Sequence, residues 1–433
     1  MKTAIETAAA VQSGATTARA EVDAAIARIE ARDGELNAVV VRRFDDARAE
    51  ADALDARDDK GDLPLAGVPM TIKESYDIAG LPTTWGHEPF ANNIAKADAL
   101  VVRRLRAAGA IIVGKTNVPP MLADWQSSNP IYGDTHNPHR QGYSPGGSSG
   151  GAAASLAADY VPLEFGSDIG GSIRLPAHFC GVWGHKPTYG VVPLDGHILP
   201  ETDGHEVEMS VGGPLARSPD DLELALTLTA RHPLAPARFD SLKGVRIAVL
   251  DSHPLAVCDD EIVAAIHGAA KAAEAAGAII GQDAEFPDLA KMHEAYIKLL
   301  LTTLGRRQPM PDGVEPPTLE DWWTMLDEQA QFRRRWDRVF AGVDVVFAPT
   351  AGIPAFPIDD GVGETRIVSV NGEDTPWAMQ LAWPGLGNYP GLPGTAVPLG
   401  MNRGGLPIGM QVLGPRFGDR TTIAAARLTA AAL

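Results

Sequence analysis

The chain has 433 residues, 45% hydrophobic and 21% charged, with a formal net charge of −18 and a pI near 5.0. That composition sustains a large buried core and argues against a nucleic-acid-binding face, which needs clustered cations. Two cysteines, Cys180 and Cys258, make no disulfide framework and fit a reducing, cytoplasmic setting. The start carries a lone Lys2 without an apolar signal core, and no run approaches the ~18 apolar residues of a membrane span.

In chain order, residues 3–59 read as helices. Val22, Ile26 and Ile29 recur at i, i+4 and i+7, Gly34 ends one helix, and Leu36–Arg57 forms the next. Leu65–Ile72 is a strand. Alternation puts Met70, Ile72 and Glu74 on one side and Thr71, Lys73 and Ser75 on the other, so Glu74 is not by default the ion-pair partner of Lys73. Asp98–Ala108 is a helix with Leu100, Val101 and Leu105 inward, stopped at Gly109, and Ala110–Val113 is a short buried strand. Residues 129–146 hold Asn129-Pro130, Asn137-Pro138 and Ser144-Pro145 and form a long ordered loop.

Ala152–Ala158 is a helix, followed by the apolar run Val161–Phe165. Ser218-Pro219-Asp220-Asp221 starts another helix, with an N-cap serine, proline first and acids in the first turn. A polar connection, 231–244, leads to a strand, Val245–Leu250, and an amphipathic helix, Glu261–Ala276. Residues 305–317 are loop-like and border an expected cap, before a long helix, Leu319–Phe340, bearing Trp322, Trp323 and Trp336. Strands Val343–Ala348, Thr395–Leu399 and Pro407–Leu413 precede a closing Ala-rich helix from Thr421. This alternation predicts an α/β layered architecture.

Two glycine–serine clusters stand out, Gly146-Gly147-Ser148-Ser149-Gly150-Gly151 and Asp168-Ile169-Gly170-Gly171-Ser172. Glycines around serines let the backbone approach a reacting group while hydroxyls stand at tight turns, although glycine clusters are also ordinary loop material. With Gly67-Val68-Pro69-Met70-Thr71-Ile72-Lys73 upstream, and Ser148 and Ser172 separated by 24 positions, the chain resembles the amidase signature family from about Pro64 to Arg217.

The resemblance implies an α/β/α layered fold with a large, mixed, twisted central sheet. It also implies a Ser–cis-Ser–Lys triad: Ser172 attacks, the hydroxyl of Ser148, which follows a cis Gly147–Ser148 peptide, relays a proton, and Lys73 is the base. Lysine serves as a base at neutral pH only if its pKa falls from ~10.4 to near neutrality, a change on the order of 4 kcal/mol. Burial on the apolar run Leu65–Ile72 has that sign. A serine hydroxyl both donates and accepts, which suits Ser148 to a relay.

Backbone N–H groups of Ile169, Gly170, Gly171 and Ser172 can converge as an oxyanion hole. In the family the aspartate and arginine, here Asp168 and Arg174, brace that loop, and a plain structural ion pair is the competing reading. Ser149 adds a hydrogen bond within the triad. Two departures from the family pattern are Ser167, where threonine is common, and Val191, where arginine is common. The stretch Met121 to Gln126 corresponds to the family's acyl channel, so Leu122, Trp125 and Gln126 are the pocket residues. Trp377 and Trp383 are candidates for an apolar wall, with core packing as the alternative.

Other readings compete. Gly147-Ser148-Ser149-Gly150-Gly151 fits a G-x-S-x-G nucleophile elbow with Ser149 attacking, but residues 137–146 are not the buried strand that elbow needs. No phosphate-loop or dinucleotide fingerprint is present. His136 and His139 straddle Pro138 without an HExxH, so no metal site is assigned, and His178, His185 and His197 receive no chemistry.

The expectation is one domain over 1–433: N-terminal helices 1–60, a catalytic core 61–230, and C-terminal sheet, helices and cap 231–433. Its function is hydrolysis of a small-molecule carboxylic amide to acid plus ammonia or amine, with no cofactor, metal, nucleic acid or membrane, as a monomer or homodimer. Two alternatives remain: a glutamine-hydrolysing amidotransferase of the A type that needs partner subunits, and a non-catalytic scaffold, against which the intact triad counts.

Overall fold

The computed structural model describes residues 2–433 apart from 201, 203, 282–283, 306–314 and 362–364. The N-terminal half contributes β1 (Val39–Arg42), β2 (Pro69–Lys73), β3 (Ile111–Thr116), β4 (Leu163–Asp168), β5 (Trp183–Lys186) and β6 (Val211–Ala216). The C-terminal half adds β7 (Arg246–Val249), β8 (Ile279–Gly281), β9 (Val345–Pro349), β10 (Gly394–Met401) and β11 (Pro407–Leu413).

Among the described residues these form one eleven-stranded sheet in the order β1-β3-β2-β4-β6-β5-β10-β11-β9-β7-β8. Its two flanks are parallel, β3-β2-β4 and β9-β7-β8. The centre from β4 to β9 is antiparallel, as is the edge strand β1. The last two strands therefore lie mid-sheet and join the flanks.

Strand alternation makes two cores. Met70, Ile72, Ile112, Val345 and Phe347 face one helical layer, α1 (Ala4–Gln12), α4 (Leu100–Ala107), α7 (Pro219–Thr229), α8 (Asp260–Ala275) and α12 (Asp419–Ala432). On the other side Ile111 and Val113 face α2 (Ala18–Leu36), α3 (Phe44–Asp55), α5 (Gly150–Ala157) and α6 (Arg174–Cys180). Val346 and Ala348 meet α9 (Leu289–Leu304), α10 (Leu319–Gly342) and α11 (Ala382–Asn388) on that same side. The result is the mixed, three-layer α/β/α architecture that was expected.

The first helices need correction. Gly34 lies inside α2, which ends at Leu36 because Asn37 takes a left-handed conformation with φ 55°. The carboxylate of Asp33 then accepts from the N–H groups of Ala38 and Val39. The expected helix Leu36–Arg57 is interrupted by β1, since Val39-Val40-Val41 favours pairing with β3 over helix. Leu100 is half-buried, and Val102 joins Val101 and Leu105 on the inner face.

Strands β5 and β6 carry no clear pattern in the sequence. Gly213 is needed there because a Cβ would sit 2.3 Å from the carbonyl oxygen of His185 on the neighbouring strand. Most of the expected cap border, residues 306–314, lies outside the described residues.

Candidate active site

Lys73 is the last residue of β2, on the sheet face covered by α5, and it is fully buried. Beneath it, Thr71 shares a hydrogen bond with Ser155 of α5 at 3.2 Å. The Lys73 Nζ donates to Ser148 Oγ at 2.7 Å and to Ser167 Oγ at 2.9 Å. Burial lowers its pKa to about 7, against the opposing pull of the Asp168 and Glu164 carboxyls. Glu74 serves elsewhere: its carboxylate accepts from the N–H groups of Thr84 (2.6 Å) and Trp85 (3.0 Å) and from the Tyr132 hydroxyl (3.2 Å).

The first glycine–serine turn delivers Ser148. The Gly147–Ser148 peptide is cis. At Gly147 a Cβ would sit 2.3 Å from the carbonyl oxygen of Asp124, so no side chain fits there. The hydroxyl of Ser127 ties this turn down, donating to the Gly146 carbonyl (3.1 Å) and accepting from the Gly150 N–H (3.0 Å). Ser149 connects the two clusters: its N–H donates to the Ser172 carbonyl at 3.2 Å, and its hydroxyl donates to the Ser167 carbonyl at 3.3 Å.

The second cluster forms a loop between β4 and α6. Asp168 accepts from the N–H groups of Gly171 (2.9 Å) and Ile173 (3.2 Å), from Asn388 Nδ2 (2.9 Å), and from Arg174 Nε (3.0 Å) and Nη2 (3.1 Å). Burial opposes ionisation of this carboxyl, yet the Arg174 guanidinium holds it well below the usual carboxylate range. Arg174 is itself buried and donates further to Gln411 Oε1, Asn388 Oδ1 and the Pro384 carbonyl. Asp168 and Arg174 thus form a buried ion pair, and Asp168 also accepts from the loop's own N–H groups. Gly171 has φ 94°, a conformation that side chains rarely adopt, and a Cβ there would crowd Pro384 Cβ at 3.0 Å.

Two carbonyls of this loop are also taken. The Tyr296 hydroxyl donates to Ile169 O at 3.0 Å, and Trp125 Nε1 donates to Gly170 O at 3.1 Å. One expected oxyanion donor needs correction: the Gly171 N–H is committed to Asp168, because the loop turns back on that carboxylate. Among the described residues this leaves the N–H groups of Ile169, Gly170 and Ser172 without a protein acceptor. No direct hydrogen bond joins the Ser148 and Ser172 hydroxyls among the described residues; the two serines are linked through Ser149.

The expected pocket stretch is used largely by the protein itself. Leu122 is half-buried with φ 59°. Trp125 is buried, with its ring edge-on to Trp377 at 5.0 Å. Gln126 is buried and exchanges two hydrogen bonds of 2.9 Å with the backbone of Asp359. Arg366 bridges Asp124 (2.5 Å) and Asp359 (3.0 Å) between the rings of Phe356 and Trp377. Trp383 is core.

A surface cavity of about 640 Å³, lined by Arg246, Phe286, Arg335 and Arg338 among others, involves none of these loops. His178, His185 and His197 are bonded to Gly409 and Ile353, to Thr395 and Asp419, and to Ser75 respectively. Among the described residues no group of three His, Cys, Asp or Glu side chains is placed to hold a metal ion. No described helix is long and apolar enough to cross a membrane.

Sequence reasoning missed Tyr296, Asn388 and Arg366, which reach the site from far along the chain without any motif of their own. Ser167 was legible as a retained hydroxyl, but not as a partner of Lys73.

The amidase family profile matches residues 20–309 and 318–423. The chain belongs to the amidase signature family. It is 35% identical to the putative amidase AmiB2 of Mycobacterium tuberculosis (strain ATCC 25618 / H37Rv), covering 95% of this chain and 92% of the relative. It is 32% identical to the A-type subunit of the glutamyl-tRNA(Gln) amidotransferase of Koribacter versatilis, covering 98% and 97%. Among solved structures, a bacterial aryl acylamidase of the amidase signature family superimposes with a TM-score of 0.86 at 27% identity, covering 100% of this chain and 96% of that one. The amidase signature assignment places the chain among hydrolases acting on amides.

Proposed function

We propose that the chain is a serine amidase that hydrolyses a small-molecule carboxylic amide through an acyl-enzyme on Ser172, with Ser148 as relay and Lys73 as base. The observation that carries this reading is the buried Lys73, its pKa near 7, within 2.9 Å of two serine hydroxyls. Above that pH the amine has a lone pair for the Ser148 proton while an N–H still holds Ser167. Ser172 Oγ adds to the amide carbon, its proton passes to Ser148, and the Ser148 proton passes to Lys73.

That transfer needs Ser172 Oγ within reach of Ser148, a contact of the kind that tightens when substrate binds. The negative oxygen faces the N–H groups of Ile169, Gly170 and Ser172. Collapse breaks the C–N bond, and the leaving nitrogen takes a proton back through Ser148. Water then repeats the sequence on the ester, releasing the carboxylic acid and restoring Ser172. Every proton is held by the protein's own groups, so the reaction as written uses no cofactor. The mid-sheet position of β10 and β11 supports treating 1–433 as one domain. We place the enzyme in the cytoplasm, acting as a monomer or homodimer.

A second reading is favoured by one observation, the near full-length similarity to a glutamyl-tRNA(Gln) amidotransferase chain of the A type. In that reading the chain hydrolyses glutamine only beside partner subunits. Intact-mass analysis after a fluorophosphonate, with peptide mapping, tests the first: an adduct on Ser172 supports it, and an adduct on Ser149 overturns it. Turnover of simple aryl and alkyl amides by the purified chain alone then excludes the second.

A further inference from the structure

The Ser172 loop has two backbone carbonyls gripped by side chains from outside it, one on each of two successive peptides. Tyr296, on α9, donates to Ile169 O, and Trp125 donates to Gly170 O. A trans peptide is planar with its C=O and N–H on opposite edges. Fixing the Ile169 carbonyl toward Tyr296 therefore aims the Gly170 N–H away from it. Fixing the Gly170 carbonyl toward Trp125 aims the Gly171 N–H the other way, and that N–H is indeed found on Asp168. Two adjacent N–H groups are thus sorted, one to the carboxylate and one left for the reacting oxygen.

We propose that Tyr296 is a positioning residue that sets the orientation of the Gly170 N–H in the oxyanion hole, with Trp125 setting the next peptide. Several features make Tyr296 suited to this. It is fully buried, its ring packs on Gly385 so closely that a Cβ there would lie 2.8 Å from Tyr296 Cδ1, and a Cβ at Gly170 would lie 3.3 Å from its hydroxyl. The phenol thus has little room to move, and its hydrogen bond acts on a rigid support. Burial also pushes its pKa far above the usual phenol range, so it remains a donor at any working pH. Hydrogen-bond donors aimed at a developing oxyanion act mainly in the transition state, so disorienting one lowers kcat more than it weakens substrate binding.

This inference rests on Ser172 being the nucleophile, and Tyr296→Phe tests it because it removes one oxygen and keeps the ring over Gly385. Expected are a fall in kcat of roughly tenfold to a hundredfold, with KM within about twofold. Affinity for a trifluoromethyl ketone, which forms a tetrahedral oxyanion on the serine, should drop in proportion to kcat/KM. Unchanged kcat overturns the proposal, as does a lower kcat with ketone affinity intact. If Tyr296→Phe fails to fold, Gly385→Ala, whose Cβ would press on the Tyr296 ring at 2.8 Å from Cδ1 and displace its hydroxyl, is judged by the same ketone-to-kcat proportionality. Ser172→Ala in the same assay tests the underlying reading separately: retained turnover there overturns the acyl-enzyme and leaves the Tyr296 result to be read against whatever nucleophile remains.

Discussion

The loop 168–174 and the neighbouring wall that Arg366 builds with Asp124 and Asp359 meet at the Trp125–Gly170 hydrogen bond, but they are held in different ways. The loop is closed by bonds inside the core. Asp168 and Arg174 are buried together, and Asn388, Gln411, Tyr296 and Trp125 add donors or acceptors from distant elements. The wall depends on Arg366 bridging Asp124 and Asp359, and the side chain of Asp359 is 42% exposed. Arg366 is itself buried, but water reaches the two carboxylates it bridges and does not reach Asp168, so the same kind of ion pair carries different weight. The rigid part holds the groups proposed for the chemistry, and the more adaptable part lies where the acyl group is expected.

Removing the proposed nucleophile is the largest expected effect and sets the scale for both regions. Ser172→Ala should lower turnover on the order of 10⁴-fold or more while leaving thermal unfolding near that of the parent. Lys73→Ala should come close to that loss. Residual turnover of Ser172→Ala within about tenfold of the parent would remove the reason to treat the loop as the chemical half of the site.

Asp168→Asn breaks the loop's support and leaves the Arg174 guanidinium buried without a carboxylate. Stability in urea should fall by about 3–5 kcal/mol. Arg366→Met releases charges that water reaches, so its stability cost should stay below about 2 kcal/mol, with KM changing more than kcat. Equal costs for the two variants would end the distinction between core-held and water-exposed ion pairs.

The acid limb of activity sharpens the comparison further. Lys73 must be neutral to accept a proton, and its pKa lies at about 7. kcat/KM should therefore fall about tenfold per pH unit below that value. For stability the sign is opposite to that of an ion-paired lysine. Between about pH 7 and 10.5 the unfolded chain keeps this proton and the native chain does not, so the residue's contribution to stability rises with pH. Lys186, also lowered to about 7 by burial, contributes in the same direction.

How much was legible follows the same division. Glycine and serine spacing marks the loop because its backbone leaves little choice: at Gly147 no side chain fits, and Gly171 has a positive φ. The strand carrying Lys73 was legible as an apolar run, but it was expected over Leu65–Ile72 and lies at Pro69–Lys73, buried on both faces. Asn388 and Tyr296 were not legible, because their roles arise only when the fold brings them beside 168–174, and Arg366 likewise acts only once it meets Asp124, more than a hundred positions away. Trp125 was assigned to the pocket from its place in the chain, whereas its indole N–H serves the loop. Strand β1 was missed because three valines were read within a helical stretch, where tertiary pairing with β3 decides.

The smallest predicted effect lies at the meeting of strand and loop. Ser167 accepts from Lys73 at 2.9 Å, while its own N–H donates to Ser149 Oγ at 3.4 Å. Ser167→Thr keeps the hydroxyl and should leave kcat/KM within about threefold of the parent. Ser167→Ala removes an acceptor that favours the ammonium form, so the acid limb should move to lower pH. The plateau should fall at the same time, by roughly tenfold, because the amine loses one of the two bonds that orient it toward Ser148. A lowered plateau with an unmoved limb would mean that Ser167 shapes the turn and does not act on Lys73. An unmoved plateau with a shifted limb would mean that Ser148 alone orients the base.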